Sequence, residues 1–131
     1  GSTRAPQWTH GGIVFAPKPR DYSVKMNKKE KALAIKSALT SRVAEEKIYV
    51  VDSLSFDEIK TKKMAAVLDS LKVEKALVVL DKKDENVILS ARNLPEVRTV
   101  MSNSINVYDI LKYGSLVITK EAVAQIEEVY A

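Results

Sequence analysis

The clearest apolar run of the chain, Ala76–Leu80, is five residues long and is followed directly by Asp81. A run of this length bounded by charge is typical of a strand covered on both faces, because a parallel sheet between helices has no solvent-facing side. Asp84 then stands where a carboxylate caps the first turn of a helix, and Pro95 ends that helix. This stretch is therefore predicted as a buried strand, a turn and a short helix.

The same alternation of apolar patterns recurs through the rest of the chain. Further strands are predicted over Ile48–Val51, Val97–Met101 and Leu116–Ile118. Apolar residues three and four positions apart predict the helices between them, one starting near Thr61 and a last one capped by Thr119. Strands that alternate with helices form right-handed βα units. We therefore predict an α/β fold with three α/β/α layers and a mostly parallel four-stranded sheet, whose strand order the pattern leaves open.

A longer helix, from Asn27 to Glu45, precedes these units. Asn27 and Glu30 have the spacing of a capping box, in which each side chain accepts a hydrogen bond from the other residue's backbone N–H. The apolar face of this helix is predicted to consist of Ala32, Ile35, Leu39 and Val43. The basic residues beside this face, either a solvated surface or contacts to phosphate, are Lys29, Lys31, Lys36 and Arg42.

Residues 1–26 show neither pattern, and we predict that they form an extended arm joined to a globular domain of residues 27–131. Three of the four glycines and three of the four prolines lie in the first 22 residues. Trp8, Phe15 and Tyr22 recur there every seven residues among basic side chains. An extended backbone with cations and flat aromatic surfaces suits phosphates and unpaired bases. The alternative is a loop whose Trp8 and Phe15 fold back onto the core.

Charge is distributed unevenly along the chain. The net charge is +4, but the first 47 residues hold ten Lys or Arg against four Asp or Glu, whereas the remaining 84 residues hold 11 against 13. A basic excess confined to one end is typical of a nucleic-acid-binding arm attached to a neutral domain.

The residue types exclude several kinds of chemistry. The chain has no cysteine and a single histidine, His10, so thiol catalysis and Cys/His zinc sites are excluded. No glycine-rich run separates a strand from its helix, as dinucleotide and Walker-type sites require. We predict no catalytic residue, metal, cofactor or small-molecule substrate. No apolar run reaches the roughly 20 residues that span a bilayer, and no signal-peptide pattern opens the chain, so we expect a cytoplasmic protein without membrane contact.

An alternative class is a phosphoacceptor or small-molecule-binding enzyme, with its site beyond the carboxyl ends of the strands. Asp52, Asp81 and Lys120 stand at these ends, with Thr119 beside the lysine. Two acids, a hydroxyl and a lysine resemble a receiver domain, but the first strand offers one acid instead of an adjacent pair. Both acids are also common turn residues, and Thr119 suits a helix cap.

Several motifs along the whole chain resemble one family. They are PQW at 6–8, GG at 11–12 and PKPRDY at 17–22 in the arm, and LAIKSAL at 33–39, KTKKMA at 60–65, DENVILSARNLP at 84–95, NVYDIL at 106–111 and ITKE at 118–121 in the domain. The chain is thereby similar to bacterial large-subunit ribosomal protein four, the universal uL-four family. This resemblance implies a structural protein of the large ribosomal subunit, whose arm follows ribosomal RNA to the wall of the peptide exit tunnel.

The resemblance also implies partners and an incomplete chain. The partners are large-subunit ribosomal RNA, neighbouring ribosomal proteins and, in some members, the protein's own messenger leader, which they bind as repressors. In the family a strand, a helix and the first half of the loop precede the residues that match Gly1–Arg4, so we expect a fragment of a longer protein. Thr9 and His10 depart from the family, which usually carries arginine and then glycine or serine there, and Ala16 stands where glycine is common.

The predicted RNA contacts are cations for phosphates, polar and aromatic side chains that pack or stack, and glycines that permit close backbone approach. They are Arg4, Gln7, Trp8, His10, Gly11, Gly12, Phe15, Lys18, Arg20, Lys25, Lys28, Lys29 and Lys36. A neutral imidazole pairs less well with phosphate than a guanidinium does. The resemblance therefore supports phosphate contact at Arg4, Lys18 and Arg20 more than at His10.

Overall fold

The computed structural model describes residues 1–131, in which five α-helices alternate with four strands. In chain order they are α1 (Lys28–Ala44), β1 (Ile48–Val51), α2 (Thr61–Ser70), β2 (Ala76–Leu80), α3 (Glu85–Ala91), β3 (Val97–Met101), α4 (Val107–Lys112), β4 (Ser115–Thr119) and α5 (Lys120–Tyr130). The first three strands have the predicted bounds, and β4 is one residue longer at each end. Bounds of buried strands follow from short apolar runs, which the sequence displays directly.

All four strands are parallel, in the order β1-β4-β2-β3. The two inner strands are β2 and β4, and every residue of β2 is buried. Leu77 of β2 is paired with Arg98 on one side and with Leu116 on the other. The predicted α/β fold with a parallel four-stranded sheet is confirmed, because each βα unit returns the chain to the same end of the sheet.

Two separate hydrophobic cores cover the two faces of this sheet. On one face the inner strands pack against Ala38 of α1, Ile110 of α4 and Ile126 of α5. On the other face they pack against Met64 of α2 and Val87 of α3. Successive strand residues point to opposite faces, so the continuous apolar runs of β2 and β4 serve both cores. The helices therefore form the two outer layers of the predicted three-layer architecture.

The buried face of α1 differs from the predicted stripe. Val43 was expected in the core but is 61% exposed, whereas Ala38 and Arg42 are buried. The helix packs mainly against α4, and the Arg42 guanidinium donates hydrogen bonds to the carbonyl oxygens of Ile110 and Leu111. These bonds turn the helix so that Arg42, and not Val43, faces the protein.

Residues 1–27 contain no helix or strand, and within them only Ala5 and Gly11 are partly buried. Residues 3–10 form turns and bends, a further turn lies at residues 14–15, and residues 16–27 have no regular structure.

No helix combines the length and the apolar character that crossing a bilayer requires.

Candidate nucleic-acid interface

The backbone near the start of the chain forms a closed loop, Arg4–Gly12, which we call the Trp8 loop. Two hydrogen bonds close successive turns. The Trp8 N–H donates to the Ala5 carbonyl at 3.0 Å, and the Gly11 N–H donates to the Trp8 carbonyl at 3.0 Å. Gly12 N–H then donates to the Arg4 carbonyl at 2.8 Å, which joins the two ends. The structure thus brings together four predicted site residues, Arg4, Trp8, Gly11 and Gly12, through backbone contacts that their spacing alone did not show.

The aromatic side chains of the arm are not part of either core. Trp8 is 58% exposed, Phe15 is 94% exposed and Tyr22 is 76% exposed. The alternative in which Trp8 and Phe15 fold back onto the domain is therefore not adopted in the structure. Exposed aromatic rings on a segment without regular structure remain free to stack against a partner.

The residues between Lys18 and Asn27 are organised by local contacts. The Arg20 guanidinium lies 4.2 Å from the centre of the Tyr22 ring, within the range of a cation–π contact. The Asp21 carboxylate accepts hydrogen bonds from the backbone N–H of Ser23 at 2.8 Å and from its hydroxyl at 2.9 Å. The backbone bond, followed by the hydroxyl bond, lowers the pKa of Asp21. At Asn27 the backbone N–H donates to the Glu30 carboxylate at 3.3 Å, which satisfies one free donor at the start of α1.

The remaining predicted site residues are exposed and lie apart from acidic groups. Gln7, His10, Lys18, Lys25, Lys28, Lys29 and Lys36 are all exposed. Lys29 and Lys36 lie seven positions apart on α1 and therefore share one side of the helix. None of the basic residues before Arg42 has a carboxylate oxygen within 4.0 Å. Their positive charge is left available to a partner.

His10 has a backbone conformation that glycine adopts more easily. Its φ is 61°, in the left-handed region. A side chain with a Cβ is disfavoured there, although histidine tolerates it better than branched residues do. The position of the imidazole is therefore set by the backbone geometry of the turn that carries it.

The carboxyl ends of the strands hold the residues of the alternative enzyme class. Asp81 is partly buried and accepts a long hydrogen bond of 3.5 Å from the Thr119 hydroxyl. The same hydroxyl caps α5 by accepting the N–H of Ala122 at 3.4 Å. Asp52 and Lys120 are both exposed, and neither lines the cleft that Asp81 shares with Ser102 and Gln125. Asp81 and Thr119 thus have structural contacts of the kind expected from turn and cap residues.

Two buried polar residues were not identified from the sequence. Arg42 is 8% exposed and joins the C-terminal ends of α1 and α4 through the carbonyls of Ile110 and Leu111, at 3.1 and 3.0 Å. Asp109, 1% exposed, accepts hydrogen bonds from Arg98 at 3.1 Å and from the Asn106 amide at 2.8 Å. Both residues brace the domain, and neither belongs to an exposed site. The asparagine three positions before Asp109, which caps α4, was the one local signal available.

The fold and this surface define a class of protein: a three-layer α/β domain that carries an exposed, cationic and aromatic N-terminal segment. The chain belongs to the ribosomal protein L4/L1 family, whose model matches residues 1–129.

Named relatives agree with this family membership. The chain is 77% identical to the large ribosomal subunit protein uL4 of Lachnoclostridium phytofermentans, 66% identical to that of Agathobacter rectalis and 55% identical to that of a Thermoanaerobacter species. Each comparison covers the whole chain and 64% of the relative. The chain therefore spans about two thirds of the length of these relatives, which are proteins of the large ribosomal subunit.

Proposed function

We propose that residues 1–26 are an RNA-binding arm and that residues 27–131 are the globular domain that anchors it. In this proposal the chain is part of a structural constituent of the large ribosomal subunit, acts in the cytoplasm and catalyses no reaction. The observation that carries the proposal is the charge of the arm and α1, where no basic side chain before Arg42 has a carboxylate partner within 4.0 Å. Cations without acidic partners on an exposed segment can neutralise the phosphates of an RNA backbone.

The proposed contacts divide by chemistry. Arg4, Lys18, Arg20 and Lys25 bind phosphates from the arm, and three lysines of α1, Lys28, Lys29 and Lys36, extend the same surface. Gln7 and His10 supply neutral hydrogen-bonding groups, while Trp8 and Phe15 stack on bases or pack in grooves. The arm recognises the folded shape of the RNA, because A-form grooves expose little base information.

Three finer assignments rest on the family relationship. We place the arm near the peptide exit tunnel and the domain against neighbouring ribosomal proteins. We also propose that the same cationic surface binds the messenger leader of the protein as a repressor, since leader and ribosomal RNA present the same phosphate chemistry. Competition between leader RNA and ribosomal RNA for the chain tests this second role, and simultaneous binding of both would contradict it.

The main experiment compares binding of large-subunit ribosomal RNA fragments by the chain and by a variant lacking residues 1–26, over a salt series. The deletion removes four basic side chains, so the slope of log affinity against log salt should become shallower by about 3. A matched control removes two basic residues that are already paired, Lys75 and Lys83. This control should change the slope by less than the deletion does, and equal binding by the full chain and the deletion variant would refute the arm as the RNA-binding element.

The enzyme alternative makes a different prediction at Asp81. In the scaffold proposal, Asp81→Ala removes one long hydrogen bond to Thr119, costs at most about 1 kcal/mol of stability and leaves RNA binding unchanged. In the enzyme alternative, the same change abolishes phosphorylation or ligand binding. Incubation of the chain with small phosphodonors, followed by mass measurement, distinguishes the two: a phosphate adduct that disappears in Asp81→Ala would favour the enzyme.

A further inference from the structure

The Trp8 loop is closed by its own backbone without any partner. Its ends are joined by the 2.8 Å hydrogen bond from Gly12 N–H to the Arg4 carbonyl, and two turns lie between them. Ala5 and Gly11, the partly buried residues of the arm, meet inside this loop. The loop is therefore a preformed element within a segment that otherwise has no regular structure.

Gly11 is the residue on which the loop depends. A Cβ added at Gly11 would lie 2.0 Å from the Ala5 carbonyl oxygen and 2.9 Å from the Trp8 carbonyl oxygen. Both neighbours are backbone atoms, so the contact cannot be relieved by a side-chain rotation. At the adjacent Gly12, by contrast, the nearest atom to an added Cβ is the Arg4 carbonyl oxygen at 3.6 Å, an ordinary contact. A methyl group would therefore clash with the backbone at Gly11, whereas it would make an ordinary contact at Gly12.

The loop and the three residues before it line an open cleft. Its volume is about 550 Å³, and Trp8 is one of its lining residues. The polar lining residues are Ser2, Thr3, Gln7 and Thr9, and no residue with a charged side chain lines it. An aromatic ring beside uncharged donors and acceptors suits the flat face and polar edge of a nucleobase, whereas a phosphate would require cations.

We infer that this cleft binds one unpaired nucleobase of the RNA, stacked on Trp8 and held at its edge by the surrounding neutral groups. The inference rests on the proposed RNA-binding function and specifies which group of the RNA the Trp8 loop binds. Base stacking on an aromatic side chain changes affinity by about 10- to 100-fold when the ring is lost. The affinity should therefore depend on the shape of the loop as well as on the charge of the arm.

The chain contains a single tryptophan, so its fluorescence reports on Trp8 alone. We would titrate the full chain with a short single-stranded RNA and with an abasic oligonucleotide of the same length and charge. The RNA should bind more tightly and quench the tryptophan emission, and the abasic strand should do neither. Equal affinity for the two strands, or RNA binding without any change in emission, would overturn the nucleobase site while leaving the RNA-binding arm in place.

Gly11→Ala and Gly114→Ala form a matched pair of variants with identical charge and an intact tryptophan, because Gly114 lies in the domain, outside the predicted site, and a Cβ added there would meet nothing within 4 Å. Gly11→Ala should lower RNA affinity by about tenfold or more, because the Trp8 loop that holds the nucleobase is disrupted. The salt slope should stay unchanged, because the variant keeps every basic side chain. Gly114→Ala should bind as the unchanged chain does. Circular dichroism checks that the domain stays folded in both. Equal RNA affinity of the Gly11→Ala variant and the unchanged chain would refute the preformed loop, and absence of RNA binding by the unchanged chain would refute the proposed function as well.

Discussion

The N-terminal part of the chain and the sheet domain differ in whether their basic side chains have acidic partners. From Arg42 onward, eight Lys or Arg side chains lie within 4.0 Å of a carboxylate, for example Lys60 with Glu58 and Lys75 with Glu96. Before Arg42 none does. Exposed ion pairs add little stability, but each one cancels a charge locally. The domain is thereby close to self-neutralised, and the uncompensated charge is concentrated in the arm and α1.

Apolar side chains show a less complete division, because the domain has two buried cores but also exposes some large apolar side chains, such as Tyr108 and Val129. Leu77 in β2 is fully buried, whereas Phe15 is 94% exposed and Val24 is 84% exposed. Large apolar side chains that stay in water on one segment indicate a surface that another molecule covers. One region of the chain stabilises the fold, and the other is left available for binding.

The largest effect should come from breaking the core of the domain. Leu77→Ala removes a fully buried side chain from the central strand and should cost about 2 to 5 kcal/mol, because a cavity remains. Urea unfolding followed by circular dichroism measures this cost. Deletion of residues 1–26 is the counterpart in the other region and should leave the unfolding free energy nearly unchanged. A deletion as costly as Leu77→Ala would mean that the two regions are one folding unit.

Arg42 tests the boundary between the regions, since it is the first basic residue with an acidic partner. Arg42→Ala leaves the carbonyls of Ile110 and Leu111 without their donor and should cost about 2 to 3 kcal/mol. Lys36→Ala, at an exposed position of the same helix, should change stability by less than about 0.5 kcal/mol. Urea midpoints of the two variants give the comparison, and similar values for both would show that Arg42 contributes no more than a surface cation.

A substitution at Glu46 should have a smaller effect on stability, and it should stabilise the domain. It follows α1 with φ at 56°, and its N–H donates to the Val43 carbonyl in the turn that ends the helix. Glycine is the preferred residue at such a position, so Glu46→Gly should stabilise the domain by about 0.5 to 1 kcal/mol. The same exchange at Glu128, an exposed position within α5, should instead cost about 1 kcal/mol. A loss of stability in both variants would contradict the backbone explanation.

The smallest effect is a pH dependence at the end of α1. A hydrogen bond from Ser41, then contacts with Lys47 and Arg42, lowers the pKa of Glu45 below its ordinary value of 4.5. A lowered pKa stabilises the folded state above 4.5, and this contribution is lost as the pH falls through the folded-state pKa. The unfolding midpoint of Glu45→Gln should therefore fall less on acidification than that of the unchanged chain.

The arm supplies the control for this titration. The pKa of Asp21 is also lowered, but by Ser23, a neighbour two positions away in the same segment. Because this contact does not involve the domain, Asp21→Asn should leave the acid dependence of unfolding unchanged. A shift in the midpoint of Asp21→Asn would show that the arm and the domain unfold together.

Much of the fold could be predicted because its signals are local. The run Ala76–Leu80 and the cap at Asp84 occupy adjacent positions, and the structure places a strand and a capped helix there. The candidate site was predicted by composition, as cations, aromatic residues and glycines in one segment. Its internal arrangement was not, because closure of the Trp8 loop depends on a hydrogen bond between Arg4 and Gly12 that no spacing rule requires.

Residue patterns were enough to predict where the strands and helices lie, that the sheet is mostly parallel, and that charge is concentrated at one end of the chain. Each of these follows from residues that are neighbours in the chain. The strand order, the buried face of α1 and the role of Arg42 could be seen only in the folded protein. That side chain bonds carbonyl groups 68 and 69 positions away, and its burial depends on those partners. Contacts over such separations arise from packing, which residue patterns within one element do not encode.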